Sequence, residues 1–173
     1  MYTLGIITSS DKGSRGERED KSGEVIKNIS EENDFEVKRY VVLPDERDKL
    51  SEEMIYMSDK LGVDLILTTG GTGFSERDVT PEATKEILHK EAQGIADAIR
   101  MYSLQITKRA MLSRAISGIR NKTLIVNLPG SPKACEEALE FVLEDFWPGS
   151  TSSSPSAARC SVPVRLLSTS GSL

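Results

Sequence analysis

Residues 64–84 read Asp-Leu-Ile-Leu-Thr-Thr-Gly-Gly-Thr-Gly-Phe-Ser-Glu-Arg-Asp-Val-Thr-Pro-Glu-Ala-Thr. The apolar start of this stretch, Leu65 to Leu67, lacks helical spacing and predicts a buried strand. Three glycines follow, and glycine permits the positive φ angles that bring a backbone close to a ligand. Thr80 and Pro81 then predict the cap and the first turn of a helix. A strand, a glycine-rich loop and a helix in this order present backbone N–H groups to an anion such as phosphate.

The glycines alone do not identify a ligand, because a tight turn between a strand and a helix uses them equally well. Asp78 adds information, since a carboxylate beside a bound phosphate needs a cation such as Mg²⁺ to hold or a reacting group to orient. A P-loop is excluded because no lysine follows Gly73. The dinucleotide fingerprint is excluded because Glu76 stands where its third glycine belongs.

Three further polar segments follow predicted strands, and each alone has an ordinary explanation as a solvated loop or a helix cap. They are residues 9–11 after a strand at 4–7, Asp45 after a strand at 35–43, and residues 130–133 after a strand at 123–128. In parallel sheets the carboxyl ends of neighbouring strands meet at one edge, where ligands bind. We therefore expect these segments and the glycine loop to share one pocket.

Strands and helices alternate through Trp147, which predicts an α/β fold. The expected architecture is a three-layer α/β/α sandwich with a mostly parallel sheet. A helix over residues 81–91 is expected to contain the single histidine, His89, in an ordinary structural role. Residues 113–118 and 123–128 predict a hairpin. We expect one folded domain over residues 1–147 and a disordered tail over the serine-rich residues 148–173.

The composition excludes several classes of function. The chain has 173 residues and a net charge of -5, without the basic blocks that bind nucleic acid. No apolar run approaches the about 18 residues of a membrane span. Cys135 and Cys160 lie too far apart in sequence for a metal motif. Two cysteines without a disulfide framework favour a reducing cytoplasm.

The run from Thr68 to Thr84 resembles the signature of molybdenum-cofactor biosynthesis proteins. More narrowly, it is similar to the molybdopterin adenylyltransferases of the Mog and MoaB type and to the G domain of gephyrin. Residues 127–134, Asn-Leu-Pro-Gly-Ser-Pro-Lys-Ala, resemble the second hallmark of this family. An Asp-x-Ser-Gly run that begins at Asp20 also fits the family. Asp78 and Asp45 match its two essential acidic positions.

The resemblance implies a reaction in which AMP passes from ATP to the terminal phosphate of molybdopterin and pyrophosphate leaves. It implies that Asp45 and Asp78 are catalytic and hold Mg²⁺. The residues that it implies for binding molybdopterin and phosphate are Ser9, Asp11, Thr69, Gly70, Gly71, Thr72, Gly73, Arg77, Gly130, Ser131 and Lys133.

Two other functions remain open at the level of sequence. The first is a module of the same family that binds molybdopterin without catalysis, and the second is a structural trimerisation module. For the enzyme, the resemblance implies a homotrimer and a possible transfer of the product to a molybdenum insertase. The sequence does not distinguish a molybdenum pathway from a tungsten pathway.

Overall fold

The computed structural model describes residues 2–146, and the side chains of Tyr2 to Leu143. It contains one six-stranded sheet with helices on both faces. The strands are β1 (Tyr2–Ser9), β2 (Phe35–Leu43), β3 (Leu65–Thr69), β4 (Lys90–Glu91), β5 (Ser117–Arg120) and β6 (Thr123–Leu128). The α-helices are α1 (Asp11–Ser14), α2 (Lys21–Glu32), α3 (Arg47–Ile55), α4 (Thr80–Ile87), α5 (Gly94–Ile106) and α6 (Pro132–Phe146). A π-helical turn, Tyr56–Lys60, extends α3, and a 3₁₀ turn, Lys108–Leu112, follows α5.

The strand order is β2-β1-β3-β6-β5-β4. The first four strands of this order run parallel, whereas β5 is antiparallel to β6 and β4 is antiparallel to β5. The predicted α/β sandwich is therefore confirmed, with a mixed sheet whose parallel half includes β1, β3 and β6. These three strands end side by side, because Thr8 pairs with Thr69 and Thr69 pairs with Leu128.

Two apolar cores hold the helices to the sheet. On one face Leu4, Ile6 and Leu67 pack with residues of α2, α5 and α6. On the other face Ile7 and Ile66 pack with residues of α3 and α4. Side chains alternate between the faces of a strand, so every central strand contributes to both cores. This burial on both faces explains the continuous apolar runs of β1 and β3, and it fixes where these strands end.

The predicted helix over residues 81–91 is too long, and this prediction is wrong at its end. The helix stops at Ile87, and Lys90–Glu91 pairs with β5 instead. Leu88 is extended, and the His89 backbone N–H donates to the carbonyl oxygen of Ile119 at 2.9 Å. Pairing at the sheet edge therefore overrides the local helical pattern. His89 is exposed, and its Nδ1 accepts a hydrogen bond from a backbone N–H of the β5–β6 turn.

Two other predictions need correction. The hairpin exists, but its first strand begins at Ser117 instead of Ser113, because residues 113–116 cross over the glycine loop. The helical spacing of Ile106 with residues 95, 99 and 102 predicts a core position, but Ile106 is exposed at the end of α5. The predicted disordered tail lies outside the described residues. Within residues 2–146, none of the helices is long and apolar enough to cross a membrane.

Candidate active site

A cleft of about 620 Å³ lies where β1, β3 and β6 end. Of the predicted site residues, seven line it: Ser9, Asp45, Thr69, Gly70, Gly71, Asp78 and Gly130. The other six do not line it and lie in its surrounding loops and helix starts: Asp11, Thr72, Gly73, Arg77, Ser131 and Lys133. The expectation of one shared pocket is thus confirmed for loops that follow four different strands.

The glycine loop touches its neighbours so closely that side chains would not fit. Gly70 and Gly71 have φ angles of 87° and 63°. A Cβ on Gly70 would overlap the carbonyl oxygen of Ser9. A Cβ on Gly71 would lie 2.5 Å from Oγ1 of Thr80 and 3.2 Å from Oγ of Ser9, with Oδ1 of Asp45 in contact at 3.4 Å. These glycines therefore allow the loop after β3 to lie directly against the loops after β1 and β2.

Thr80 anchors this loop, and the prediction that it caps α4 is wrong. The cap position belongs to Val79, which makes no capping bond through its side chain. Thr80 is fully buried, and its hydroxyl donates to the carbonyl oxygen of Gly70 at 2.9 Å. Its backbone N–H donates to the carbonyl oxygen of Gly71 at 3.1 Å. These two hydrogen bonds satisfy the carbonyl oxygens of Gly70 and Gly71, the two residues with positive φ angles.

Asp45 belongs to the cleft and does not cap α3. The cap position of that helix is Glu46. The Ser9 hydroxyl donates to Oδ1 of Asp45 at 2.6 Å, and the backbone N–H of Asp11 donates to Oδ2 at 3.0 Å. In return, the backbone N–H of Asp45 donates to Oδ1 of Asp11 at 3.1 Å. The loops after β1 and β2 are therefore joined by reciprocal hydrogen bonds that orient the Asp45 carboxylate.

Asp11 and Arg77 form a bridge between the loop after β1 and the glycine loop. The guanidinium donates to the two carboxylate oxygens, from Nε at 3.0 Å and from Nη2 at 2.8 Å. The hydrogen bonds from Arg77 lower the pKa of Asp11 below its usual value, against a smaller opposing effect of burial. Because the Arg77 side chain is 56% exposed, this bridge lies at the surface of the molecule. The charge of Arg77 is directed to Asp11 and not into the cleft.

Asp78 lies at the far end of the glycine loop and is half-buried. Its Oδ2 accepts a hydrogen bond of 2.9 Å from the backbone N–H of Ser75. A Cβ on Gly73 would lie 2.8 Å from the same oxygen, so this glycine leaves room for the carboxylate. The side chain is thus fixed by its own loop at the cleft.

The junction between β6 and α6 forms another part of the cleft wall, with Gly130 beside Gly70. The carbonyl oxygen of Gly130 accepts a hydrogen bond of 3.0 Å from the Ser22 hydroxyl. Ser131 caps α6 as predicted, with its hydroxyl oxygen 3.3 Å from the backbone nitrogen of Ala134. Lys133 is 81% exposed and pairs with Glu137 at 3.7 Å. Burial raises the pKa of the neighbouring Cys135 thiol to about 11, which keeps it protonated and unreactive at neutral pH.

The start of α2 and the residues just before it supply just over half of the lining residues that were not among the predicted site residues. Arg18, Glu19, Lys21 and Ser22 line the cleft together with Asp20. Asp20, singled out by its motif, caps α2 by accepting from the Gly23 backbone N–H at 2.9 Å. Arg18 precedes this motif and Lys21 lies within it, but only the fold brings α2 to the ends of β1 and β3. Further missed lining residues are Thr8, Ser10, Gly13 and Pro132.

The carboxylate ligands in the cleft suit a magnesium ion that binds together with a phosphate substrate. Within residues 2–146, no three His, Cys, Asp or Glu side chains are grouped to hold a metal on their own. Mg²⁺ commonly binds through one or two carboxylates together with substrate phosphates and waters. Asp45 and Asp78 supply two carboxylates to one cleft, and Gly70 and Gly71 of the glycine loop line the same cleft.

Comparisons with known proteins agree with this arrangement. A family described as a probable molybdopterin binding domain matches residues 5–148. A molybdopterin adenylyltransferase from Helicobacter pylori strain J99 is 45% identical over 142 residues, which is 80% of this chain and 80% of that protein.

Two solved structures have the same fold. The molybdopterin biosynthesis enzyme MoaB from Thermus thermophilus is 48% identical and superposes with a TM-score of 0.78, covering 83% of this chain and 90% of that one. The tungsten cofactor synthesizing protein MoaB from Pyrococcus furiosus is 34% identical, with a TM-score of 0.75 and coverage of 83% and 91%.

Proposed function

The chain belongs to the molybdopterin binding domain family, and on this premise we propose that it is a molybdopterin adenylyltransferase. The proposed reaction transfers AMP from ATP to the terminal phosphate of molybdopterin and releases pyrophosphate. Relatives that are 36% to 45% identical over most of this chain are named for this activity.

One observation carries the proposal: Asp45 and Asp78 line the same cleft as the glycine loop. We propose that the backbone N–H groups of Gly70 and Gly71 bind phosphate oxygens. The two carboxylates would hold Mg²⁺, which when bound neutralises the charge of the phosphates. Ser9 and Asp11 hold Asp45, and Ser75 holds Asp78, so both carboxylates are oriented before a substrate arrives.

In the proposed reaction, an oxygen of the terminal phosphate of molybdopterin attacks the α-phosphorus of ATP. Its lone pair forms the new P–O bond, and the bond to the β-phosphate oxygen breaks, with its electron pair leaving on pyrophosphate. The attacking phosphate is already ionised at neutral pH, so no general base is required. The task of the protein is to align two anions and to offset their repulsion.

The test is pyrophosphate release from ATP and Mg²⁺, with and without molybdopterin. It compares the parent protein with Asp45→Asn and Asp78→Asn. We expect release only with molybdopterin, and a decrease of about 100-fold or more in both variants, because an amide cannot supply the anionic ligand. Asp48→Asn is the matched control, since Asp48 is exposed near Asp45 at the start of α3. It should keep the parent rate.

A second candidate function, binding of molybdopterin without catalysis, makes a different prediction. In that case the parent protein would bind molybdopterin, for example by quenching of pterin fluorescence, and would release no pyrophosphate. The adenylyltransferase proposal would also fail if Asp45→Asn and Asp78→Asn kept full activity. Binding that persists in Asp78→Asn while release is lost would support the enzyme.

We also propose that the protein is a homotrimer. Support comes from large apolar side chains exposed on α5 and the following 3₁₀ turn: Met101, Leu104, Ile106, Met111 and Leu112. Light scattering would report the mass directly, and a monomer at micromolar concentration would contradict the proposal. Transfer of the product to a molybdenum insertase and a cytoplasmic location stay predictions. The metal of the pathway stays open, since one relative is named for tungsten.

A further inference from the structure

Arg114 lies outside the glycine loop and donates several hydrogen bonds to it. No sequence motif pointed to this residue. Its backbone N–H donates to the carbonyl oxygen of Thr72 at 2.9 Å. Its guanidinium donates from Nε to the carbonyl oxygen of Gly73 and from Nη2 to that of Asp78, both at 2.6 Å. Its Nη1 donates to the carboxylate of Glu82 on α4.

These contacts join the two ends of an exposed segment. Residues 74–77 are all exposed. Apart from the surface bridge between Arg77 and Asp11, they are joined to the cleft through the chain at Gly73 and Asp78. The segment contains its own turn, since the backbone N–H of Asp78 donates to the carbonyl oxygen of Ser75 at 2.9 Å. Arg114 fixes both ends of this turn to one rigid, planar group. The position of the Asp78 carboxylate relative to the glycines therefore depends on Arg114.

Glu82 fixes the guanidinium in turn. Burial is the largest single effect on the Glu82 carboxyl and raises its pKa. The hydrogen bond from Arg114, a backbone hydrogen bond and the charges of Arg114 and Arg47 together outweigh burial and leave the pKa below its usual value. The ion pair connects the segment to the first turn of α4, whose buried Thr80 already holds Gly70. Gly70 at the start of the glycine loop and Asp78 at its end are thus both attached to α4.

We propose that Arg114 is a positioning residue, which holds the Asp78 carboxylate at the distance from the glycine loop that a magnesium-bound triphosphate requires. This inference rests on the proposed function, in which Asp78 holds Mg²⁺. Arg114 is absent from the cleft lining, so the proposal assigns it no direct contact with the substrates. Its effect is exerted through the loop backbone. Lysine would retain the positive charge but not the planar group that binds two carbonyl oxygens at once.

The experiment uses the full chain with Arg114→Lys. We expect kcat to decrease by about 100-fold, because a displacement of about 1 Å at a reacting group has an effect of that size. The Mg²⁺ concentration for half-maximal rate should rise several-fold, while the KM for ATP changes less than about twofold. Hydrogen exchange without substrates should be about tenfold faster at residues 74–78, since hydrogen bonds from a charged donor are lost.

Arg120→Lys is the matched control. Arg120 also donates two hydrogen bonds to one carboxylate, that of Asp59, at 2.6 and 3.0 Å. It donates a third to the backbone carbonyl oxygen of Ile87 at 2.8 Å. Its side chain is 16% exposed against 33% for Arg114, and it lies at the opposite end of β6 from the cleft. We expect Arg120→Lys to change neither the magnesium dependence nor the exchange of residues 74–78.

The outcomes separate this inference from the proposed function. Unchanged kcat and magnesium dependence in Arg114→Lys would overturn the inference, as would equal changes in both lysine variants. A parent protein that releases no pyrophosphate with molybdopterin would instead overturn the proposed function. Hydrogen exchange would then decide the role of Arg114: faster exchange only in Arg114→Lys supports positioning, and equal exchange in both variants overturns it.

Discussion

The two strand–loop–helix junctions of the cleft have similar sequence motifs and different constructions. At the β3–α4 junction, residues 70–79 make close contacts with the loops after β1 and β2 and with Arg114. At the β6–α6 junction, residues 129–131 form a short connection with an ordinary serine cap and a proline in the first helical turn. A glycine before a helix is common to both. Distant parts of the chain contact both junctions, but they contact the second through single hydroxyl groups, from Ser22 to the carbonyl oxygen of Gly130 and from Thr69 to that of Pro129.

This difference indicates which of the two junctions is more sensitive to small changes in backbone geometry. The β3–α4 junction combines positive φ angles, a buried threonine anchor and an oriented carboxylate, so small changes should have large effects there. In the β6–α6 junction, Gly130 has no positive φ angle, and the junction is held by single hydroxyl hydrogen bonds and an exposed helix cap, so it should tolerate substitution better. Paired variants of equivalent residues at the two junctions test this contrast.

The largest effect is expected for Gly70→Ala, compared with Gly130→Ala. Gly70 has a φ angle of 87°, and a Cβ there would overlap the Ser9 carbonyl oxygen. We expect a loss of about 3 kcal/mol or more in the free energy of unfolding. A Cβ on Gly130 would meet its nearest atom, the Cα of Gly70, at 3.5 Å, which is ordinary contact. Gly130→Ala should therefore change stability by less than about 0.5 kcal/mol. Urea denaturation measures both, and equal losses would contradict the contrast.

A smaller effect is expected for Thr80→Val, compared with Ser131→Ala. The first substitution leaves the carbonyl oxygen of Gly70 without the hydroxyl donor, in a place where Thr80 is fully buried. The expected loss is about 2 kcal/mol. Ser131→Ala removes an exposed helix cap, with an expected loss of about 1 kcal/mol or less. If the cap variant proved the more damaging in thermal unfolding, the account of the two junctions would be wrong.

The bridge between Asp11 and Arg77 should have an effect that depends on pH. The pKa of Asp11 in the folded protein lies below its usual value of 3.8, so the bridge stabilises the fold only while Asp11 is ionised. We expect Arg77→Gln to be less stable than the parent above about pH 5. The difference should shrink as the pH falls through the pKa of Asp11 in the folded state. Urea midpoints at pH 7, 5 and 3 measure this, and a constant difference would exclude the bridge as its cause.

The smallest effect is expected for Lys133→Gln at the second junction. Lys133 is 81% exposed, and its pair with Glu137 is long, at 3.7 Å. Pairs of this kind contribute about 0.5 kcal/mol or less to stability. The urea midpoint should stay close to that of the parent across the same three pH values. A loss as large as that of Arg77→Gln at pH 7 would show that both junctions depend on their charges equally.

The sequence predicts this fold well where burial and periodicity agree. Runs of apolar residues indicated β1 and β3, and Pro132 indicated the start of α6. It predicts less well where distant pairing decides the structure. The end of α4 depends on the edge pairing of Lys90–Glu91, which has no local signal. Thr80 has the features of a helix cap, and only the contact with Gly70 shows that it anchors the loop instead.

The sequence also predicts part of the candidate site. Motifs indicated Asp45, Asp78 and the glycines, and the structure brings them to one cleft. A motif marked Asp20 at the start of α2 but did not place it in the cleft, and no motif revealed Arg114, because both approach the cleft through tertiary packing. A charged residue at position 114 has no capping, periodic or turn signal around it. Residues that position a site through tertiary packing, without belonging to its motifs, are therefore the ones that a single sequence does not reveal.

The most direct test of the central claim follows the α-phosphate of ATP. The protein would be incubated with molybdopterin, Mg²⁺ and ATP labelled at the α-phosphate, and the products separated by chromatography. The account predicts that the label moves onto the pterin in an amount equal to the pyrophosphate released, and that Asp78→Asn abolishes both. Label that stays in ATP, or that appears only as free AMP, would contradict adenylyl transfer to molybdopterin.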